Sequence, residues 1–226
     1  MKNGNRKSEI GNARAFTLIE LLVVIAVIGI LAAFTFGSLK GVKRTQNLRT
    51  ARGELEQIQA ALDGYKAKYG FYPPANTNNF LMPSLYYELA GVTIVGADYV
   101  TLDGASKLPV GSVFTAYGLG GVINCTKGAG EDAVLAKNFL PDLKPNRMFY
   151  PITNNTVPTT VLITSVRGPD AGYRPLAAED VNPFRYRYPG VNNPDSYDLW
   201  VQLVIGGRTN LVCNWSRQVQ INSPLP

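Results

Sequence analysis

Residues 16–36 read Phe-Thr-Leu-Ile-Glu-Leu-Leu-Val-Val-Ile-Ala-Val-Ile-Gly-Ile-Leu-Ala-Ala-Phe-Thr-Phe, and the one charge in that run is Glu20. A carboxylate in such surroundings is costly in lipid, by ~2.5–3.5 kcal/mol at a bilayer centre and less near the interface. It needs a positive partner. One candidate is a free α-amine at Phe16, created if the chain is cut between Ala15 and Phe16. In a helical assembly the amine of one subunit would meet Glu20 of a neighbour. The pair would then be better satisfied in the polymer than in isolated lipid, and Glu20 would set the register. The competing reading is an ordinary secretory signal cut after Ala32-Ala33. Against it, the apolar run continues through Phe36, whereas such signals have a shorter apolar core ending at the small-residue site.

Other chemistry is scarce. The chain has no histidine and two cysteines, Cys125 and Cys213, which argues against a zinc site or a histidine-based catalytic centre. No GxSxG and no GxxxxGK[ST] occurs. Gly118-Leu-Gly-Gly121 fails the dinucleotide-binding spacing, because Ile123 stands where the third glycine belongs. The expectation is a chain that is not an enzyme, with no catalytic residue, no metal and no cofactor. In an oxidising compartment Cys125 and Cys213 could form a disulfide, closing a loop of nearly 90 residues and stabilising by ~4–5 kcal/mol in the chain-entropy model. The alternative is two buried thiols.

The elements that would position these groups follow from periodicity. The 21 residues 16–36 would span about 30 Å as a helix at ~1.5 Å per residue, the thickness of a bilayer's hydrocarbon core. From Leu48, apolar or aromatic residues fall at Ala51, Leu55, Ile58, Leu62, Tyr65 and Tyr69. Steps of three and four make one helical face. Gly70 and Pro73-Pro74 stop the helix, so one helix is expected from about residue 17 to 69.

Residues 75–159 read as a long, irregular connection, with short helical turns at Ser84–Leu89 and Ala133–Phe139. Strands are expected at Thr160–Val166, Phe184–Tyr188, Tyr197–Ile205 and Leu211–Trp215. Asn192–Asp195 and Gly206–Asn210 are the turns between the later pairs. Phe184, Tyr186 and Tyr188 alternate with Arg185 and Arg187, which suits a half-buried strand. The fold class is α+β: a long N-terminal helix packed on a small C-terminal antiparallel sheet.

The net charge is +6, half of it in residues 1–15, where Lys2, Arg6, Lys7 and Arg14 face Glu9. The tightest basic run, Lys40 to Arg52, directly follows the apolar segment. That place suits a membrane flank or filament packing better than nucleic acid, which calls for a basic stripe interleaved with aromatics. Basic residues on both sides of the span leave its orientation nearly balanced.

Phe16-Thr-Leu-Ile-Glu20 and the apolar residues after it resemble the N-terminal signature of type IV pilins and type II secretion pseudopilins. Thr17, Glu20 and Gly29 fall at the family's places. The resemblance implies that a prepilin peptidase cuts before Phe16 and methylates its new amine, and that Glu20 acts in subunit recruitment. It implies a cleaved basic leader (1–15), a transmembrane helix (16–36), its amphipathic continuation (37–70) and a periplasmic globular domain (71–226). The N-terminus would lie in the cytoplasm, with the chain anchored in the inner membrane and later drawn into a filament. The partners implied are further copies of the chain, the peptidase and an inner-membrane assembly platform. Two positions depart from the pattern: Ala15 stands where glycine is usual, and Gly37 where proline is frequent.

Leu62–Pro74, Asn182–Gly190, Tyr197–Trp200 and Asn214-Trp215 resemble parts of the major pseudopilin of type II secretion. In that family a loop binds calcium, but Gly206–Asn210 holds no carboxylate, and calcium prefers six to eight oxygens including carboxylates. No calcium is therefore expected, and Asp195 and Asp198 read as turn and strand residues. Two alternatives stand beside the pseudopilus subunit: a type IV pilus pilin, and a membrane-tethered periplasmic binding protein that uses a pilin-type leader.

Overall fold

A computed structural model describes residues 17–76, 79–128, 130–141, 149–153, 157–167, 172–179 and 181–222, the side chains of 32–40 excepted. Residues 1–15 and Phe16, with the expected cleavage point, lie outside the described residues. The chain divides into two compact units, 1–43 and 44–226. Helix α1 (Leu18–Tyr69) contributes to both.

In the first unit, the large apolar residues from Leu18 to Leu31 are exposed. Among the described residues no helix is long and apolar enough to cross a membrane. The expected span of 16–36 reaches beyond them at both ends, at Phe16 and in the side chains after Leu31.

In the second unit the apolar face expected on α1 is the centre of the core. Ala51, Leu55, Ile58, Leu62 and Tyr65 have no exposed surface, and Leu48 and Tyr69 pack at the edges of the same cluster. The helix stops where the sequence places its end. Gly70 takes a φ of +84°, and its N–H donates to Lys66 O at 2.7 Å, the left-handed closure that glycine makes without a Cβ penalty.

Polar residues flanking the stripe fasten α1 to distant chain. The Arg52 guanidinium donates to the carbonyls of Cys213, Ser216 and Arg217. Arg44 donates to Asn210 Oδ1 at 2.8 Å. The Glu54 carboxylate accepts from the Thr164 and Ser165 hydroxyls and from Ser165 N–H. Two members of the basic run are thus engaged within the chain.

The C-terminal sheet is antiparallel, in the order β6 (Arg185–Arg187), β7 (Asp198–Ile205), β8 (Arg208–Cys213), β9 (Gln220–Ile221). Leu199, Val201 and Leu203 of β7 face the main core. Trp200 packs with Leu211 and Cys213 on the other side, under Phe80 and Trp215. Both faces are covered, which is why β7 reads as a nearly continuous apolar run.

Four expectations are corrected. The middle of the chain is more than an irregular connection: β1 (Val92–Val95), β2 (Asp98–Thr101) and β3 (Lys107–Pro109) form an antiparallel sheet. A short helix α3 (Val113–Tyr117) follows it, and β4 (Phe149–Ile152) pairs with β5 (Thr159–Leu162). Ser84–Leu89 does contain a helix, α2 (Leu85–Ala90), but Ala133–Phe139 is extended. Val134 pairs with Lys127, and Phe139 N–H donates to Leu89 O at 2.8 Å. The turn expected over Gly206–Asn210 needs only Gly206-Gly207, and Arg208 already pairs with Ile205. Finally, Arg185 is 6% exposed and does not face solvent as alternation predicts; its guanidinium reaches Tyr173 Oη at 2.7 Å.

Replacing Ile58, buried on the stripe, by alanine should destabilise the chain by about 2–5 kcal/mol. Gln57→Ala, on the exposed face, should stay within about 0.5 kcal/mol. Urea denaturation measures both, and equal midpoints for the two variants would contradict the packing described.

Candidate functional site

Glu20 stands in the first turn of α1 and makes a capping box with Thr17. Thr17 N–H and the Thr17 hydroxyl donate to Glu20 Oε2 at 2.8 and 2.7 Å, and Glu20 N–H donates back to Thr17 Oγ1 at 3.3 Å. This reciprocal pair satisfies donors that a helix start otherwise leaves open. The positive end of the helix dipole also favours a carboxylate there. Thr17 was legible in the sequence as a family position, but its cap role was missed, although Thr-x-x-Glu before an apolar run is the signature of the box.

Both Thr17 donors go to the same oxygen. Oε1 accepts no hydrogen bond among the described residues, and none of their cations pairs with Glu20. Ile19, Val23 and Val24 share its face of the helix. A carboxylate offers about four acceptor positions, so Glu20 keeps capacity for a further donor while its cap stays closed. Ala15 and Phe16 lie outside the described residues.

The possible disulfide is not formed. Cys125 and Cys213 are free, buried thiols in different clusters: Cys125 in the main core, Cys213 beneath Trp200. Burial pushes both thiols up, which makes them poor nucleophiles.

A second carboxylate, Glu88 of α2, is completely buried. It accepts from Ile123 N–H at 2.9 Å, Asn124 N–H at 3.0 Å and Tyr65 Oη at 3.0 Å. Asn124 extends the network. Its Nδ2 donates to Glu88 O and Lys137 O, and its Oδ1 accepts from Tyr69 Oη and Lys137 N–H. The end of α1 is thereby tied to α2 and to the extended segment around Lys137. Burial raises the Glu88 carboxyl above its usual range, against the opposing pull of its three donors.

Asp198, also buried, is a structural clamp in β7, as its strand reading implies. Its two oxygens accept from the N–H groups of Val191, Asn192 and Asn193 and from the Asn192 and Asn193 side-chain amides. A Cβ at Gly190 would lie 2.7 Å from Asp198 Oδ1, so the loop requires glycine there. Among the described residues no group of three or more His, Cys, Asp or Glu could hold a metal ion.

The family described as the prokaryotic N-terminal methylation motif matches residues 10–36. That motif stands on an α+β body that begins with a long helix, the arrangement that the resemblance to pilins implies. The particular likeness is to core protein G of the type II secretion system. Identity is 38% over 63 residues with the Escherichia coli (strain K12) protein, 28% of this chain and 43% of that one. It is 40% over 58 residues with the Pseudomonas aeruginosa protein, 26% of this chain and 41% of that one. With the Vibrio cholerae protein it is 38% over 58 residues, 26% of this chain and 40% of that one. Each match therefore takes in less than half of the relative's length. No solved structure matches the chain.

Because the Glu88 carboxyl is raised on folding, the folded chain holds its proton more tightly than the unfolded one. Stability should fall as pH rises from the ordinary value near 4.5 through the raised one. Urea denaturation at several pH values should show this decline in the wild type and a flatter profile in Glu88→Gln; parallel profiles would contradict it.

Proposed function

We propose that the chain is a structural subunit of a type II secretion pseudopilus. In this reading a prepilin peptidase removes residues 1–15, and Phe16 becomes the methylated N-terminus. The helix over 16–36 holds the subunit in the inner membrane, with the leader in the cytoplasm and residues 71–226 in the periplasm. An assembly platform then draws it into a filament of like subunits. That role asks for no catalytic centre.

The observation that carries the reading is that Glu20 Oε1 accepts no hydrogen bond among the described residues, on an apolar helix that bears the methylation motif. The cap makes the acid tolerable at the helix start. A neighbouring subunit's α-amine would complete it, adding a charge-assisted hydrogen bond available only on assembly. The likeness to core protein G supports secretion over a pilus.

A second reading, a membrane-tethered binding protein, is favoured by the separate sheet and cleft in the middle of the chain. Mass spectrometry and complementation distinguish the two. The pseudopilin reading predicts a mature chain beginning at methylated Phe16, and loss of secretion in a null strain that carries Glu20→Ala. Intact Met1, or a cut after Ala33, would contradict processing. Full complementation by Glu20→Ala would favour the tethered protein.

A further inference from the structure

Where α1 passes the residues before β9, the two enclose a groove of about 410 Å³, lined by Leu48, Arg49, Arg52, Glu56, Arg217 and Val219 among others. Arg52 donates to backbone carbonyls, but among the described residues no carboxylate pairs with it, with Arg49 or with Arg217. Three guanidiniums thus share the groove with one acid, Glu56. Its apolar side is Leu48 and Val219, both packed at the edge of the main core.

One stretch elsewhere carries the complementary pattern. Among the described residues, Glu131 and Asp132 are the one place where two exposed acids adjoin, and neither is ion-paired there. Val134 and Leu135 follow them, 59% and 66% exposed. The strip is held at the far end of α1, where Lys68 Nζ donates to Leu135 O at 2.7 Å. Along one continuous helix, Arg49 and Lys68 stand about 28 Å apart at ~1.5 Å per residue. Groove and strip therefore do not meet within one chain.

We propose that the groove docks the Glu131–Leu135 strip of a second copy of this chain, a contact that rests on the pseudopilus reading. Glu131 and Asp132 would meet Arg49 and Arg217, and Val134 and Leu135 would meet Leu48 and Val219. Because the two surfaces differ, each copy keeps one of them free, and the contact repeats head to tail. Such a contact builds an open helical polymer when its rotation does not close a ring. The charge match fixes register and direction. Glu20 would tie the apolar helices together, and this contact would tie the globular domains.

The test is cross-linking with a short bismaleimide in cells that produce the full chain with its secretion machinery. A chain carrying both Arg217→Cys and Asp132→Cys should give a ladder of covalent multimers, and either substitution alone should give none, since Cys125 and Cys213 are buried. Arg49→Glu with Arg217→Glu should cut the recovered polymer by about tenfold or more at unchanged Tm, and adding Glu131→Arg with Asp132→Arg should restore it. A processed, methylated chain that gives no ladder overturns this contact and leaves the pseudopilus reading standing; an unprocessed Met1 overturns both. Equal ladders from the single variants, or no restoration by the second charge reversal, also overturn it.

Discussion

Burial of one face of α1 organises the globular part of this chain. The stripe from Ala51 to Tyr65 is removed from solvent by β7, α2 and the segments that cross between them. Charged residues beside the stripe are then within reach of carbonyls and hydroxyls more than a hundred positions away. Arg52 collects the end of β8 and the residues after it, and Glu54 collects Thr164 and Ser165. Apolar burial supplies the bulk of the stabilisation, and the directional bonds fix which strand lies where. At the helix end the same logic passes through Tyr65 to Glu88 and through Tyr69 to Asn124.

Two carboxylates show how one group serves different ends. Glu88 is enclosed and its oxygens are met by three donors inside the chain. It is complete, and it holds α2 and the 123–124 segment to the helix. Glu20 is exposed, and among the described residues it is half complete: Thr17 occupies one oxygen and leaves the other open. Among the described residues nothing completes this acid on its apolar helix, and this asymmetry directs the functional reading to Glu20.

How much of this was legible follows from the range of the interactions. The stripe and its stop at Gly70 are local patterns, and they survive intact in the structure. So is β7, and the N-terminal methylation motif is a local pattern over residues 10–36. The sheet of β1, β2 and β3 was hidden because its strands are only three or four residues long, too short to display alternation. Glu88 carried no sequence signal of its role, since its partners lie 23 to 36 positions away. Ala133–Phe139 has helix-compatible residues, yet it is held extended by Lys127 and Leu89. Arg185 was read as solvent-facing by alternation alone, which says nothing of what covers a sheet's second face. The Thr17 cap was readable and was passed over in favour of its family position.

The central claim is that Glu20 is completed by the N-terminal amine of a neighbouring subunit, and cryo-electron microscopy of the assembled filament tests it most directly. The account predicts the amine of Phe16 from one subunit within about 4 Å of Glu20 of the next, the separation of an ion pair. A filament in which Glu20 stays closed on its own Thr17, with no neighbouring amine beside it, would contradict it.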